Sequence, residues 1–279
     1  MKKTILIAGL LLSQFSFAAD FQKGNDCFDR KDYDCAVKEW KPLADQGHSG
    51  AQSNLGNMYA DGQSVKQDYF KAAEWYRKAA EQGNSKAQYN LGLRYYYGQG
   101  VKQDYFKAAE WYRKAAEQGN SDAQNNLGSM YADGQSVKQD YFKAAEWSRK
   151  AAEQGNSKAQ YNLGLRYYLG QGVRQDYFKA VEWFRKAAEQ GHPQANGNLG
   201  FMYADGQGVK QDYFKAAEWS RKAAEKGDSN AQVTLGLSYY RGQGVRQNKR
   251  QAKEWFGIAC DNQNPDGCKN YSIVNEEGY

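Results

Sequence analysis

The sequence predicts an all-α protein, an α/α solenoid of stacked helix–turn–helix repeats. Tryptophan and glycine each recur every 36 residues, and the apolar residues between them have helical spacing. Fixed periods of roughly 20–50 residues are typical of repeat architectures. No segment alternates with a period of two, which excludes a propeller or a β-helix. The recurring positions are Trp75, Trp111, Trp147, Trp183, Trp219 and Trp255, with Gly56, Gly92, Gly128, Gly164, Gly200 and Gly236.

Each repeat contains two predicted helices, called helix A and helix B. In the first repeat the apolar and small residues of helix A recur at i, i+4, i+7, i+8 and i+11, which is one helical face. Helix B shows the same spacing, with Asp68 as its predicted N-cap and Gly83 at its end. The helix A positions are Ala51, Leu55, Met58, Tyr59 and Gly62, and those of helix B are Tyr69, Ala72, Tyr76, Ala79, Ala80 and Gly83. A single hairpin cannot cover its apolar face, so we expect the copies to stack.

The repeat pattern resembles the Sel1-like repeat, a relative of the tetratricopeptide repeat. The shared pattern is Ala-x-x-x-Leu-Gly-x-x-Tyr-x-x-Gly-x-Gly-Val followed by Asp-Tyr-x-x-Ala-x-x-Trp-Tyr-x-x-Ala-Ala-x-x-Gly, over about residues 36 to 263. The resemblance implies a right-handed superhelix that acts as a protein-interaction adaptor, with helix A on its inner, concave surface. The six units span 48–83, 84–119, 120–155, 156–191, 192–227 and 228–263, flanked by an N-terminal cap with a partial repeat (19–47) and a C-terminal cap or tail (264–279).

The N-terminal residues 1–18 have the layout of a secretory signal peptide. Lys2 and Lys3 precede a short apolar run, and small residues precede a cut after Ala18. We therefore expect an exported protein, periplasmic or secreted, with no stable membrane insertion. The net charge falls from +6 to +4 when the two lysines are removed. Because no basic block appears in the sequence, we expect neither a nucleic-acid partner nor binding to an anionic membrane.

The four cysteines lie in two pairs near the ends of the chain. An even number in an exported chain favours disulfides, with three pairings possible. The separation of eight residues within each pair favours Cys27–Cys35 and Cys260–Cys268. The two histidines, His48 and His192, occupy one register four repeats apart and are interpreted as solvated loop residues, so we expect no metal site and no cofactor.

The positions that vary between repeats are the candidate binding residues. Three helix A positions, spaced i, i+4 and i+8, alternate between polar and apolar sets through the first four repeats. Contiguous aromatic patches with a polar rim often mark binding sites, which favours a contact for a protein or peptide partner; the alternative is a neutral variation of the surface. The candidates are Tyr89, Leu93 and Tyr97; Tyr161, Leu165 and Leu169; and Phe201.

A second candidate set is a run of asparagines at one helix A position. An asparagine amide can both donate to and accept from a peptide backbone, so the run could hold an extended segment. The alternative, which we favour, is that these side chains bond to a neighbouring loop or are simply inherited with the repeat. The residues are Asn54, Asn90, Asn126, Asn162 and Asn198.

An enzyme is the main alternative function. Some cysteine-rich relatives have been described as penicillin-binding or β-lactamase-like, but the chain contains no Ser-x-x-Lys, Ser-Asp-Asn or Lys-Thr-Gly. We therefore predict a non-enzymatic exported scaffold that binds a protein or peptide. Peptidoglycan or an outer-membrane component is a further possible partner, because tyrosine-lined grooves also suit sugar rings.

Overall fold

The structure, a computed structural model, describes residues 19–279, and the predicted signal peptide lies outside them. The described residues form two compact units, which divide between Gln103 and Asp104. The described part of the first unit contains the helices α1 Phe21–Asp29, α2 Tyr33–Asp45, α3 Ser49–Asp61, α4 Tyr69–Glu81 and α5 Ser85–Tyr97. The second contains α6 Tyr105–Glu117, α7 Ser121–Asp133, α8 Tyr141–Glu153, α9 Ser157–Leu169, α10 Tyr177–Glu189, α11 Pro193–Asp205, α12 Tyr213–Ala224, α13 Ser229–Arg241, α14 Lys249–Asp261 and α15 Pro265–Glu276. All regular structure in the described part is helical, which confirms the predicted fold class.

The helix boundaries follow the predicted capping residues. The Asp68 carboxylate accepts hydrogen bonds from the backbone N–H groups of Phe70 and Lys71, at 3.0 and 3.1 Å, and α4 begins there. Each helix A from α3 to α13 ends at a glycine in the left-handed conformation, such as Gly62 with φ of 70°. Because only glycine adopts this conformation without strain, these residues fix where the chain turns into the A–B loop.

A buried glutamine joins consecutive repeats within the second unit. The side-chain amide of Gln124 donates to the Ala116 carbonyl oxygen at 3.0 Å, and that of Gln160 donates to Ala152 at 3.2 Å. These bonds connect the start of one helix A to the last turn of the preceding helix B, where backbone carbonyls lack helical partners. They therefore fix how each repeat stacks on the previous one.

Both predicted disulfides are present, and each connects two adjacent helices. The Cys27–Cys35 bond joins α1 to α2 with a Cα–Cα distance of 5.7 Å. The Cys260–Cys268 bond joins α14 to α15 with a Cα–Cα distance of 4.4 Å. Next to the first bond, Trp40 is buried in the core of the N-terminal cap. The bonds thus stabilise the terminal helix pairs, which have a neighbouring repeat on one side only.

Candidate functional site

The predicted apolar residues of the second unit lie on α9 and α11. The side chains of Leu169 and Phe201 are 50% and 43% exposed. Tyr161 and Leu165 are half-buried and pack against the hydrophobic core. The structure therefore divides the predicted set into two solvent-exposed apolar side chains and two half-buried ones that pack against the core.

Tyr161 is held by a histidine from the following repeat. Its ring is stacked on that of His192, with centroids 4.5 Å apart and an interplanar angle of 19°. Burial raises the pKa of Tyr161, a hydrogen bond from Asn198 lowers it, and Asp228 raises it further. These contacts make Tyr161 a part of the junction between two repeats, so its substitution would alter packing as well as the surface.

His192 is half-buried, and the prediction of a solvated loop histidine is wrong for this residue. It occupies the N-cap of α11 without making a side-chain cap bond, and its buried Nδ1 has no hydrogen-bond partner among the described residues. Burial, assisted by the charge of Lys158, lowers the pKa of His192. His48, at the same register, is exposed, and its Nδ1 accepts a hydrogen bond from the Ala51 N–H at 3.1 Å.

The first unit carries its own set of predicted residues on α5. Tyr97 is 60% exposed, whereas Tyr89 and Leu93 are half-buried. The Tyr97 ring meets that of Tyr96 edge to face, with centroids 5.0 Å apart. As on α9, the exposed apolar side chain lies at the C-terminal end of the helix, next to the turn into the A–B loop.

The side chains of the asparagine series form hydrogen bonds with other side chains. The amide nitrogens of Asn54, Asn90 and Asn162 donate to Asn25, Asn57 and Asn125 at 3.3, 3.0 and 2.9 Å. Asn126 accepts from Asn125 at 3.3 Å, and Asn198 bonds to Tyr161. The first of these bonds joins the first repeat to the N-terminal cap, and the next two each join one repeat to the preceding one. Contact with an extended partner stays a prediction. Because the amide nitrogens of these three residues already donate to neighbouring side chains, such a contact would use mainly the amide oxygens.

A polar cleft that the sequence analysis missed lies between α7, α8 and α9. In α4, α10 and α14 an aromatic ring lies directly over the helix A glycine, as Phe184 does over Gly164. In α8 this position is Ser148, and the missing ring leaves a cleft of about 160 Å³. Its lining includes Ser129, Asp133, Asn162 and Arg166. The available signal was the serine itself, because Tyr76, Tyr112 and Phe184 occupy the same register in other repeats, but Ser220 of the fifth repeat shares it and is fully buried.

Arg166 gives the cleft a positively charged side. Its Nη1 donates to the Gln171 side-chain oxygen at 2.6 Å, and its guanidinium lies 5.5 Å from the Tyr141 ring centroid. Burial lowers the pKa of Arg166, whereas Tyr141 and Asp133 raise it. Since Asp133 and Arg166 line the same cleft, it offers both acceptors and donors, which suits polar groups such as peptide amides better than a single charge.

The described part of the chain is not built around a metal or a membrane-spanning helix. Within residues 19–279, no group of His, Cys, Asp and Glu side chains is placed to hold a metal ion. Over the same residues, none of the helices is long and apolar enough to cross a membrane.

Comparison with solved structures places the chain among repeat proteins. It matches c5321, a protective antigen present in uropathogenic Escherichia coli strains that displays an SLR fold, with 41% identity and a TM-score of 0.81 over 87% of this chain. It also matches a Sel1 repeat protein from Oxalobacter formigenes, with 34% identity and a TM-score of 0.78, covering 87% of this chain and 97% of that one. The chain spans about half the length of c5321, of which 52% is covered.

The family comparison agrees with the periodicity of the sequence. A comparison with curated proteins gives no match. Six consecutive matches to the Sel1 repeat cover residues 49–84, 85–120, 121–156, 157–192, 193–228 and 229–264. Together with the stacked hairpins and the two similar structures, these matches show that the chain belongs to the Sel1 repeat family, whose members commonly mediate protein–protein interaction.

Proposed function

We propose that the chain is an exported, non-enzymatic scaffold that binds a protein or peptide through the helix A surfaces of α9 and α11. The observation that carries this proposal is the combination of exposed apolar side chains with a polar cleft. Leu169 and Phe201 are 50% and 43% exposed, and the cleft beside Ser148 is bordered by Asn162 and Arg166. Apolar contacts with a polar rim are the usual composition of a protein-binding surface.

The geometry of α9 connects the two parts of this surface. Asn162, Arg166 and Leu169 are spaced i, i+4 and i+7, which places them on one side of the helix. An extended partner that covers Leu169 can therefore reach the cleft with its backbone amides. The exposed residue of α5, Tyr97, provides a similar apolar contact in the first unit.

Export is proposed on chemical grounds. The described chain contains two disulfides and no free cysteine, which is typical of proteins that fold in an oxidising compartment. The layout of residues 1–18 agrees with this, since it has the charged start, apolar run and small residues of a signal peptide. Both the periplasm and the extracellular space satisfy these conditions.

Affinity capture from envelope extract tests the binding surface. We expect Leu169→Ser combined with Phe201→Ser to lose a partner that the wild type retains, without a change in helical content or melting temperature. The pair Tyr89→Ala and Tyr161→Ala should also lose it, but with a lower melting temperature, because Tyr161 stacks on His192. A matched control removes two exposed helix B side chains, with Lys78→Ala and Lys114→Ala. If this control loses the partner to the same extent, the assignment of the binding surface to helix A is wrong.

The same experiment also separates the scaffold from the alternative functions. If neither wild type nor variant retains a protein, the proposed partner class is wrong. Sedimentation with purified peptidoglycan and labelling with a fluorescent β-lactam would then be the next measurements. Acylation by the β-lactam would contradict the non-enzymatic scaffold directly.

A further inference from the structure

Five repeats expose a phenylalanine at the second position of helix B. Phe70, in the first unit, is 77% exposed. In the second unit, Phe106, Phe142, Phe178 and Phe214 are 68%, 78%, 76% and 78% exposed. Single exposed apolar residues are ordinary on protein surfaces, but large rings repeated at one register are not explained by the packing of the repeats.

The packing of the A–B loops places these rings along one edge of the second unit. A Cβ added to Gly172 would lie 2.7 Å from the Phe142 backbone nitrogen, and one added to Gly208 would lie 2.8 Å from that of Phe178. Each loop therefore packs on the start of the preceding helix B and leads directly into the next phenylalanine. We call the row formed by Phe142, Phe178 and Phe214 the phenylalanine edge.

Positive charge lies beside two rings of the phenylalanine edge, Phe142 and Phe178. The open cleft beside Phe142, about 830 Å³, is lined by the cations Arg113, Lys138 and Lys143 and by one carboxylate, Asp140. The Asp140 carboxylate caps α8, where it accepts a hydrogen bond from the Lys143 N–H at 3.0 Å, and it also lies 3.8 Å from the Lys143 Nζ. The cleft therefore keeps an excess of positive charge from Arg113 and Lys138.

The next repeat contains an equivalent cleft. Beside Phe178 the volume is about 760 Å³, and the lining includes Arg149, Arg174 and Lys179 with the single carboxylate of Asp176. Each cleft thus has three cations against one capping carboxylate, together with an exposed ring. The fold, rather than the linear order, brings these cations together, and the expectation that no anionic membrane is bound rested on the linear order alone.

We propose that the phenylalanine edge is a peripheral contact for an anionic phospholipid surface. Aromatic rings insert at the boundary between head groups and acyl chains, while Lys and Arg beside them attract anionic head groups. A uniformly negative surface fits a feature that repeats at a fixed register and combines exposed rings with an excess of positive charge. A single protein partner would instead be expected to meet a contact that differs between repeats, as helix A does.

Vesicle co-sedimentation tests the proposal. The sample is the chain from Ala19 onward, mixed with phosphatidylcholine vesicles that either contain phosphatidylglycerol or lack it. We expect binding to the anionic vesicles alone, weakened by added salt. The triple variant Phe142→Ser, Phe178→Ser and Phe214→Ser should lower the partition coefficient by at least about tenfold, since the apolar anchors are lost. Its melting temperature should not change, because the three rings are exposed in the folded chain.

Two charge variants provide the matched comparison. Lys143→Gln, Lys179→Gln and Lys215→Gln should weaken vesicle binding. Lys150→Gln, Lys186→Gln and Lys222→Gln remove the same number of charges further along helix B, where the side chains lie 4.3, 4.1 and 4.2 Å from the tryptophan ring centroids, and should weaken it less. The proposal is overturned if wild type does not bind anionic vesicles or if the phenylalanine variant binds them as wild type does. It is also overturned if the two lysine variants lose vesicle binding to the same extent. Loss of a captured protein with the phenylalanine variant, without any vesicle binding by wild type, would assign the edge to a protein partner instead.

Discussion

The third and fourth repeats use the same backbone frame around different side chains. In the fourth, a Cβ on Gly164 of α9 would lie 2.6 Å from the Phe184 ring of α10. In the third, the nearest atoms to a Cβ on Gly128 would be the Ala144 carbonyl oxygen and the Ser148 hydroxyl, both at 3.2 Å. In this pair a serine stands in place of an aromatic ring and a polar cleft lies beside it, whereas in the fifth repeat the equivalent serine, Ser220, is fully buried over Gly200. A polar cleft can thus arise in this repeat while the helix A–helix B hairpin is kept.

The largest difference between the two repeats should appear when their helix B residues are truncated. Phe184 is 1% exposed, so Phe184→Ala should lower the free energy of unfolding by about 3–5 kcal/mol. Ser148→Ala at the equivalent position should change it by less than about 1 kcal/mol, because no ring is lost. Urea unfolding followed by circular dichroism measures both. Similar costs for the two variants would contradict the difference in packing.

The two glycines provide a second, smaller contrast. Gly164→Ala should cost about 1–3 kcal/mol, because the added methyl group would overlap the Phe184 ring. In Gly128→Ala the added methyl group would contact the Ala144 carbonyl oxygen and the Ser148 hydroxyl closely but would meet no ring. The gain in helix propensity, up to about 1 kcal/mol, offsets the cost of these contacts. Thermal melting of the two variants, with the double variant Gly164→Ala and Phe184→Ala as control, should show the cost at Gly164 only while Phe184 is present.

Filling the cleft should make the third repeat resemble the fourth. In Ser148→Tyr the new ring would occupy the space over Gly128, as Tyr76 does over Gly56. We expect a change in the free energy of unfolding of within about 1.5 kcal/mol, and a loss of partner binding because Asn162 and Arg166 are covered. Affinity capture and melting of the same sample measure both quantities. Retained binding by a stably folded Ser148→Tyr would remove the cleft from the proposed surface.

The junctions that follow the two repeats should respond differently to pH. After the third, Asn156 caps α9 by accepting a hydrogen bond from the Ala159 N–H at 3.0 Å, but after the fourth, His192 makes no such bond. Because burial lowers the pKa of His192 in the folded chain, its neutral form contributes stability above the unfolded-state pKa of about 6.5, and this is lost as the pH falls.

Replacing this histidine should remove the pH effect with little other change. In His192→Asn we expect a net change of only a few tenths of a kcal/mol at pH 7.5, since a restored cap offsets the lost ring stacking on Tyr161. The decrease in stability between pH 7.5 and 5.5 should become smaller than in wild type. Melting temperatures measured across this pH range test the expected decrease. The control is His48→Asn, because His48 is exposed and its side chain already caps α3. An unchanged pH profile in His192→Asn would show that His192 is not the source of the pH dependence.

The sequence predicted the features that every repeat shares. Helix spacing, the aspartate cap at Asp68 and the pairing of the cysteines follow from local chemistry, and the structure confirms each. Whether a variable side chain is exposed depends on its neighbours in adjacent repeats, which linear spacing does not report. Tyr161 therefore proved to be stacked on His192. A serine at the register of Ser148 did not by itself predict a cleft, since Ser220 at the same register is fully buried.

Site-specific photo-crosslinking tests the central claim, that the helix A surface of α9 binds a protein partner. A photoreactive amino acid replaces Leu169 in one sample and Lys150, on the exposed face of α8, in a matched one. Both are irradiated in envelope extract. We predict a discrete protein adduct at position 169 and none at position 150. Adducts of equal yield at both positions, or none at position 169, would contradict the claim.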